Sequence, residues 1–148
     1  MNPVELLEQI PLPLLEWYRD HARDLPWRHT KDPYRILLSE VMLQQTRIEA
    51  VIPYYHRFLK ELPDVAALAE CPEDQLLKLW EGLGYYSRVK NLQKAAQTVV
   101  TEYGGTFPHD YDKIRRLAGI GDYTAGAIAS ICFDEPTPAV DGNVLRVL

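Results

Sequence analysis

The sequence predicts an all-α fold, a compact multi-helix bundle, from three observations. Apolar residues recur at the spacing of one helix face, most clearly over residues 48–62. Proline and glycine stand where one helical run would begin or end. No stretch shows the sustained apolar–polar alternation of a half-buried strand. With 148 residues, the chain has the size of one domain and can bury a core.

The predicted helices follow one another with short connections. The first covers residues 12–24 and precedes a Pro-Trp-Arg turn. Asp32 is a good N-cap and Pro33 suits the first helical position, so the second helix begins there and runs past Glu40. The others cover residues 48–62, 65–70, 72–80, 87–103, 110–117 and 122–133. Glycines at 104 and 105 end the long helix, as glycine commonly does at helix C-termini.

Composition excludes several classes of protein. The chain is 47% hydrophobic and 25% charged, which is typical of a soluble globular protein. The two cysteines, Cys71 and Cys132, are far apart and predict neither a disulfide framework nor a metal site. No secretory signal is visible at the N-terminus, and no apolar stretch approaches the roughly 18 residues of a membrane span. These features predict a cytoplasmic protein without membrane contact.

The net charge of −5 gives no general attraction to nucleic acid, but the charges are segregated. Residues 61–81 are strongly acidic, whereas residues 86–101 carry basic side chains and no acid. A second basic group, at Lys113, Arg115 and Arg116, precedes a pair of glycines. An acidic chain can therefore still present a basic face.

That glycine pair, Gly119 and Gly121, separates the last two predicted helices. Glycine permits a positive φ and lets a backbone approach a partner closely. The N-terminus of the following helix offers unpaired N–H groups and the positive end of its dipole, which together suit a phosphate. The G-x-G triplet alone also fits a plain turn between two helices. The whole pattern, with its upstream basic residues, resembles the helix-hairpin-helix motif and favours DNA binding.

Two carboxylates stand in apolar company. Glu40 lies in a run that is apolar on nearly every helix face, so we expect it to meet little water. Burial would raise the pKa of its carboxyl and let it hold a proton near neutrality. Asp141, beside Gly142 and Asn143, could remain ionised and stabilise a developing positive charge. Such pairs commonly break glycosidic bonds, although a solvated glutamate and an Asp-Gly turn also fit.

Five segments together resemble the MutY family of adenine DNA glycosylases, in the helix-hairpin-helix superfamily that includes endonuclease III. They are LPWR at 25–28, SEVMLQQT at 39–46, WEGLGYYSR at 80–88, LAGIGDYTAGAIAS at 117–130 and VDGNVLRV at 140–147. The resemblance implies helices in two lobes around a DNA groove. It also implies removal of adenine mispaired with 8-oxoguanine, after the adenine is flipped out of duplex DNA.

The resemblance implies a role for each matching residue. Glu40 would protonate adenine and later position water, Asp141 would stabilise the oxocarbenium sugar, and Asn143 would support their network. Tyr123 stands where bifunctional relatives carry a lysine, which implies a monofunctional glycosylase with little or no lyase activity. The residues implied to line the adenine pocket are Trp27, Arg28, Leu43 and Ile48. Those implied to face DNA are Gln44, Gln45, Thr46, Tyr85, Gly119 and Gly121, with Gln45 and Tyr85 as duplex wedges. Trp27 and Leu43 also fit core positions, and Tyr85 a packing aromatic.

The resemblance also divides the chain into three parts. Residues 1–28 would form an N-terminal helical segment, residues 29–133 a six-helix barrel with the hairpin at about 110–130, and residues 134–148 a return segment carrying Asp141. Family members continue with four cysteines that hold a [4Fe–4S] cluster and then with a domain that recognises 8-oxoguanine. We expect no cofactor here, because two isolated cysteines cannot supply four thiolates.

The shortness of the chain leads to two further expectations. Without the later helices, the chain should have weak DNA affinity and low or absent activity. The apolar face of the 12–24 helix would lose its partner, which favours self-association. Two other functions fit the residues less well: a non-catalytic helix-hairpin-helix DNA-binding module, and an endonuclease III-like glycosylase/lyase, against which Tyr123 argues.

Overall fold

A computed structural model describes residues 24–44 and 46–134, and within them every regular element is helical. A 3-10 helix at Pro26–His29 precedes seven α-helices. In chain order they are α1 (Pro33–Leu43), α2 (Ile48–Glu61), α3 (Val65–Glu70), α4 (Glu73–Trp80), α5 (Ser87–Tyr103), α6 (Tyr111–Arg115) and α7 (Asp122–Phe133). The predicted all-α class is confirmed, and the bounds predicted for the helices after residue 32 hold to within two residues.

Helix ends follow the capping chemistry of the sequence. The Asp32 carboxylate accepts a hydrogen bond from the Tyr34 backbone N–H at 3.0 Å and so starts α1, with Pro33 in its first turn. Asp64 accepts from the Ala67 N–H at 2.8 Å at the start of α3. The long helix α5 ends at Gly104, whose φ of 64° is left-handed.

Helix α1 lies at the centre of the described bundle, in contact with α2, α5 and α7. Leu37, Leu38 and Met42 on this helix are almost fully buried. Phe58 and Trp80 pack edge to face beside them, with ring centroids 6.1 Å apart. Because α1 is enclosed on most sides, the direction of its remaining side chains is fixed by the core.

Several predictions concern residues that the structure does not describe. The helix predicted at 12–24 lies outside the described residues except for Asp24, and the division of the chain at residues 28 and 133 stays a prediction. Among the described residues, no helix is both long enough and apolar enough to cross a membrane.

Candidate active site

A cleft of about 1030 Å³ opens between the C-terminal half of α1, the start of α2, the 3-10 helix and the α6–α7 turn. The sequence-predicted residues among those that line it are Trp27, Arg28, Glu40, Leu43, Gln44, Ile48, Gly119, Gly121 and Tyr123. Thr46 and Tyr85 lie on neighbouring segments, whereas Gln45, Asp141 and Asn143 lie outside the described residues. Tertiary structure thus assembles residues that the sequence separates by almost a hundred positions.

Glu40 lies in the wall of this cleft and is half-buried. Its neighbours on α1, Ser39 and Val41, are buried, and the Ser39 hydroxyl donates to the Ile36 carbonyl at 2.8 Å. The expectation that Glu40 would meet little water is therefore wrong in part. An apolar helix is buried wherever it has neighbours, but the cleft leaves one side of α1 open to solvent. Glu40 is thus a half-buried residue in the lining of the cleft.

The predicted adenine pocket combines core and surface residues. Trp27 is 7% exposed and packs edge to face on Tyr55, with ring centroids 5.4 Å apart, yet it also borders the cleft. Leu43 and Ile48 are half-buried at the end of α1 and the start of α2. These apolar walls beside a carboxylate suit a flat aromatic ligand that carries proton acceptors.

The turn between α6 and α7 brings two glycines, Gly119 and Gly121, to the lining of the cleft. Gly119 has a φ of 75°, and a Cβ there would lie 2.9 Å from the Asn91 Cβ, so only glycine fits without displacement. Gly121 differs, because its φ of −92° is open to any residue. Gly121, the N-cap of α7, makes no side-chain capping hydrogen bond, and the first residues of α7 also line the cleft.

Arg115, which the sequence analysis grouped with two other basic residues, forms hydrogen bonds within the hairpin. Its Nε–H donates to the Asp122 carboxylate at 2.7 Å, and its Nη1 donates to the Ile120 carbonyl at 3.0 Å. This contact closes the hairpin and, through the hydrogen bond from Arg115, lowers the pKa of Asp122. All three basic residues of this group, Lys113, Arg115 and Arg116, are exposed, and Arg115 is the one whose hydrogen bonds join the two sides of the hairpin.

Tyr85 lies in a strained and exposed loop between α4 and α5. Its side chain is 64% exposed, and its φ of 51° is left-handed, which is uncommon for a residue with a side chain. Gly82 and Gly84 in the same loop also have positive φ angles, of 99° and 73°. An exposed aromatic ring on a fixed backbone is suited to insertion between stacked bases, and a role in core packing is excluded by its exposure.

Sequence reasoning missed Arg88, which it treated only as one of several positive charges. The guanidinium is partly buried and donates to main-chain carbonyls of both α1 and the Tyr85 loop. The sequence did carry one indication of this role: Arg88 lies in a segment without acidic residues (86–101). A cation there has no carboxylate nearby in sequence and must bind carbonyls or a phosphate instead.

The cysteines do not fit an iron–sulfur cluster. The whole chain has two, and burial raises the pKa of the Cys71 thiol and raises that of Cys132 to about 12. Cluster ligands are thiolates, whereas burial keeps these groups protonated. Within the described residues, no group of three or more histidine, cysteine or acidic side chains is placed to hold a metal ion.

The arrangement of a small-residue helical hairpin facing a cleft glutamate is that of a helix-hairpin-helix protein with a candidate glycosylase site. The family model described as "HhH-GPD superfamily base excision DNA repair protein" matches residues 38–148. The chain belongs to this superfamily.

Similar curated proteins carry a more specific name. The adenine DNA glycosylase of Buchnera aphidicola subsp. Baizongia pistaciae is 46% identical over 136 residues, which cover 91% of this chain and 39% of that protein. The mouse adenine DNA glycosylase is 48% identical over 144 residues, covering 91% of this chain and 28% of the relative. The chain thus spans well under half the length of these relatives, and the resemblance to adenine DNA glycosylases is confirmed.

Solved structures agree on the fold. A thermostable thymine-DNA glycosylase superposes with a TM-score of 0.85 at 32% identity, covering 90% of this chain and 62% of that one. A non-covalent endonuclease III–DNA complex superposes with a TM-score of 0.84 at 24% identity, covering 99% of this chain and 68% of that one. The second match supports the fold alone.

Proposed function

We propose that the chain is the catalytic part of an adenine-specific DNA glycosylase, which removes adenine mispaired with 8-oxoguanine. The observation that carries the proposal is the position of Glu40, half-buried in a cleft that Gly119 and Gly121 also line. A proton donor and a glycine turn suited to a phosphate at one cleft are what excision of a flipped base from a phosphate-held strand would require. The adenine DNA glycosylases among its relatives support the choice of base.

Each step of the proposed reaction uses a residue of this chain. Glu40 in its acid form gives a proton to a ring nitrogen of adenine, which draws electrons from the bond between the base and the sugar C1′. As that bond breaks, the electron pair leaves with adenine, and the sugar becomes an oxocarbenium ion that the Asp141 carboxylate stabilises. Water then adds to C1′ and gives its proton to the Glu40 carboxylate, which restores the acid.

Several finer points belong to the same proposal. Tyr123 lines the cleft and has no amine for attack on C1′, so the enzyme would release a base without cutting the strand. Asn143 would support the catalytic pair, and Gln44, Gln45, Thr46 and Tyr85 would contact the duplex. We also propose a cytoplasmic location for this protein.

The decisive variant is Glu40→Gln, which keeps the shape of the side chain but cannot release a proton. Single-turnover excision from a duplex with adenine opposite 8-oxoguanine should fall by about 100-fold or more, while duplex affinity changes little. Glu61→Gln, an exposed change at the far end of α2, is the matched control and should leave the rate unaltered. Equal rates for the Glu40 variant and the parent would reject the catalytic proposal.

A non-catalytic DNA-binding module is the second candidate, because the helical hairpin with Gly119 and Gly121 could bind a phosphate without help from Glu40 or Asp141. In that case the parent chain binds duplex DNA but excises no adenine. Covalent trapping by borohydride would instead indicate a glycosylase/lyase. We also propose that this chain binds no iron–sulfur cluster, so iron analysis of the purified protein should find no iron.

A further inference from the structure

Arg88, the second residue of α5, joins two segments that carry predicted DNA-facing and catalytic residues. Its Nη1 donates to the Val41 carbonyl at 2.8 Å and also to the Gln44 carbonyl, both at the C-terminal end of α1. Its Nη2 donates to the carbonyls of Leu83 and Gly84 at 3.3 and 3.4 Å. One guanidinium therefore holds the end of the Glu40 helix and the loop before Tyr85.

The surroundings of Arg88 are unusual for a structural cation. None of the ion pairs among the described residues involves it. Its Nε is buried without a hydrogen-bond partner in the described part of the chain, and desolvation lowers its pKa. A cation held by carbonyls rather than a carboxylate is costly, so general stability alone is a poor reason for its presence. It does meet the negative end of the α1 dipole, where a positive charge is favourable.

The aromatic side chains around Arg88 connect it to Tyr85. The guanidinium lies 5.5 Å from the Trp80 ring centroid and 5.6 Å from that of Tyr85. Trp80 is fully buried and donates from its indole N–H to the Gly84 carbonyl at 3.1 Å. The Gly84 carbonyl, next to the left-handed Tyr85 backbone, thus accepts hydrogen bonds from both the buried indole and the guanidinium.

We propose that Arg88 is a positioning residue that couples the Tyr85 loop to the C-terminal end of the Glu40 helix. The inference rests on the proposed glycosylase function, and it makes a duplex wedge and a catalytic acid parts of one rigid unit. Arg88 acts through these segments and need not touch DNA. Lysine cannot replace it, because an ammonium group lacks the planar fork that reaches both sets of carbonyls.

The test compares Arg88→Lys and Arg88→Met with matched changes at Arg35, an exposed arginine near the opposite end of α1. Hydrogen exchange of the free protein is followed at residues 43–47 and 82–86. In both Arg88 variants, hydrogen exchange should be roughly tenfold faster than in the parent in each of the two segments. The Arg35 variants should leave both segments unchanged.

Measurements of DNA binding and of adenine excision distinguish a positioning role of Arg88 from a direct contact between Arg88 and a phosphate. Single-turnover adenine excision should fall about tenfold in both Arg88 variants, and combining Arg88→Met with Tyr85→Ala should add little to Tyr85→Ala alone. Full retention of exchange protection and affinity by Arg88→Lys, with loss only in Arg88→Met, would overturn the proposal in favour of a phosphate contact.

The remaining outcomes also decide the question. Faster exchange in only one of the two segments would exclude coupling. If the methionine variant does not fold, the lysine variant decides alone. Because exchange is measured without DNA, failure of the glycosylase function would not alter this readout.

Discussion

The α6–α7 turn and the α4–α5 loop both use left-handed glycines, yet the fold holds them by opposite means. An exposed ion pair closes the hairpin, since the Arg115 and Asp122 side chains are 48% and 81% exposed. The Trp80 indole and the Arg88 guanidinium anchor the Tyr85 loop through partly buried hydrogen bonds, and the more exposed Tyr54 hydroxyl donates to the Glu81 carbonyl at 2.7 Å. Exposed pairs are screened by water and salt, whereas a buried donor or acceptor that loses its partner is costly. The loop should therefore tolerate change less than the hairpin.

The largest effect is expected for Gly82→Ala in the loop. A Cβ at this position would overlap the Tyr54 hydroxyl, and the φ of 99° is unfavourable for alanine. The new methyl group would also break the Tyr54 hydrogen bond to the exposed Glu81 carbonyl, so backbone strain and this lost bond together should lower the free energy of unfolding by about 2–4 kcal/mol. Denaturant titration measures the loss. Gly84→Ala is the control, because its φ is also positive but no atom lies within 4 Å of its Cβ position. Equal losses for both variants would show that the Tyr54 anchor is unimportant.

Gly119→Ala in the hairpin should have a smaller effect on stability. The φ of 75° adds strain, and Asn91 would have to move from its 2.9 Å approach to the new Cβ, giving a loss of about 1–3 kcal/mol. Duplex affinity should also fall, because the shifted turn changes the direction of the α7 N–H groups. Thermal unfolding and duplex titration are to be compared with Gly104→Ala, where φ is 64° and the Cβ position is open. The same duplex affinity in both variants would contradict a role for the turn in binding.

The smallest effect is expected for Asp122→Asn, which removes the exposed ion pair. Because Arg115 depresses the pKa of Asp122 in the folded state, the pair stabilises the fold above the ordinary aspartate pKa and is lost as the pH falls through the folded value. The free energy of unfolding of the variant should therefore be lower than that of the parent at neutral pH and low salt. The two values should converge in acid and in high salt. Denaturant titrations at several pH and salt values measure this. A difference that persists in acid would mean that Asp122 stabilises the hairpin by something other than its charge.

Local sequence patterns were sufficient for most of the helices. The N-cap at Asp32 and the C-cap at Gly104 could be predicted from the sequence because each acts within one helical turn. The helical hairpin could be predicted for the same reason, because its two glycines and its small-residue helix are contiguous in the sequence. Reasoning failed where an interaction joins distant residues: Arg88 reaches Val41 across 47 positions, and no local pattern reports such a contact.

The sequence by itself determined the all-α class, the order of the helices, the hairpin turn and the identity of the candidate acid. Tertiary structure decided how much water Glu40 meets, because the exposure of a side chain depends on which helices cover its face. It also decided that Arg115 closes the hairpin and that Arg88 joins the Glu40 helix to the Tyr85 loop. The physical reason is the same in each case: hydrogen bonding and burial depend on distance in space, which the chain sets only after its helices have packed.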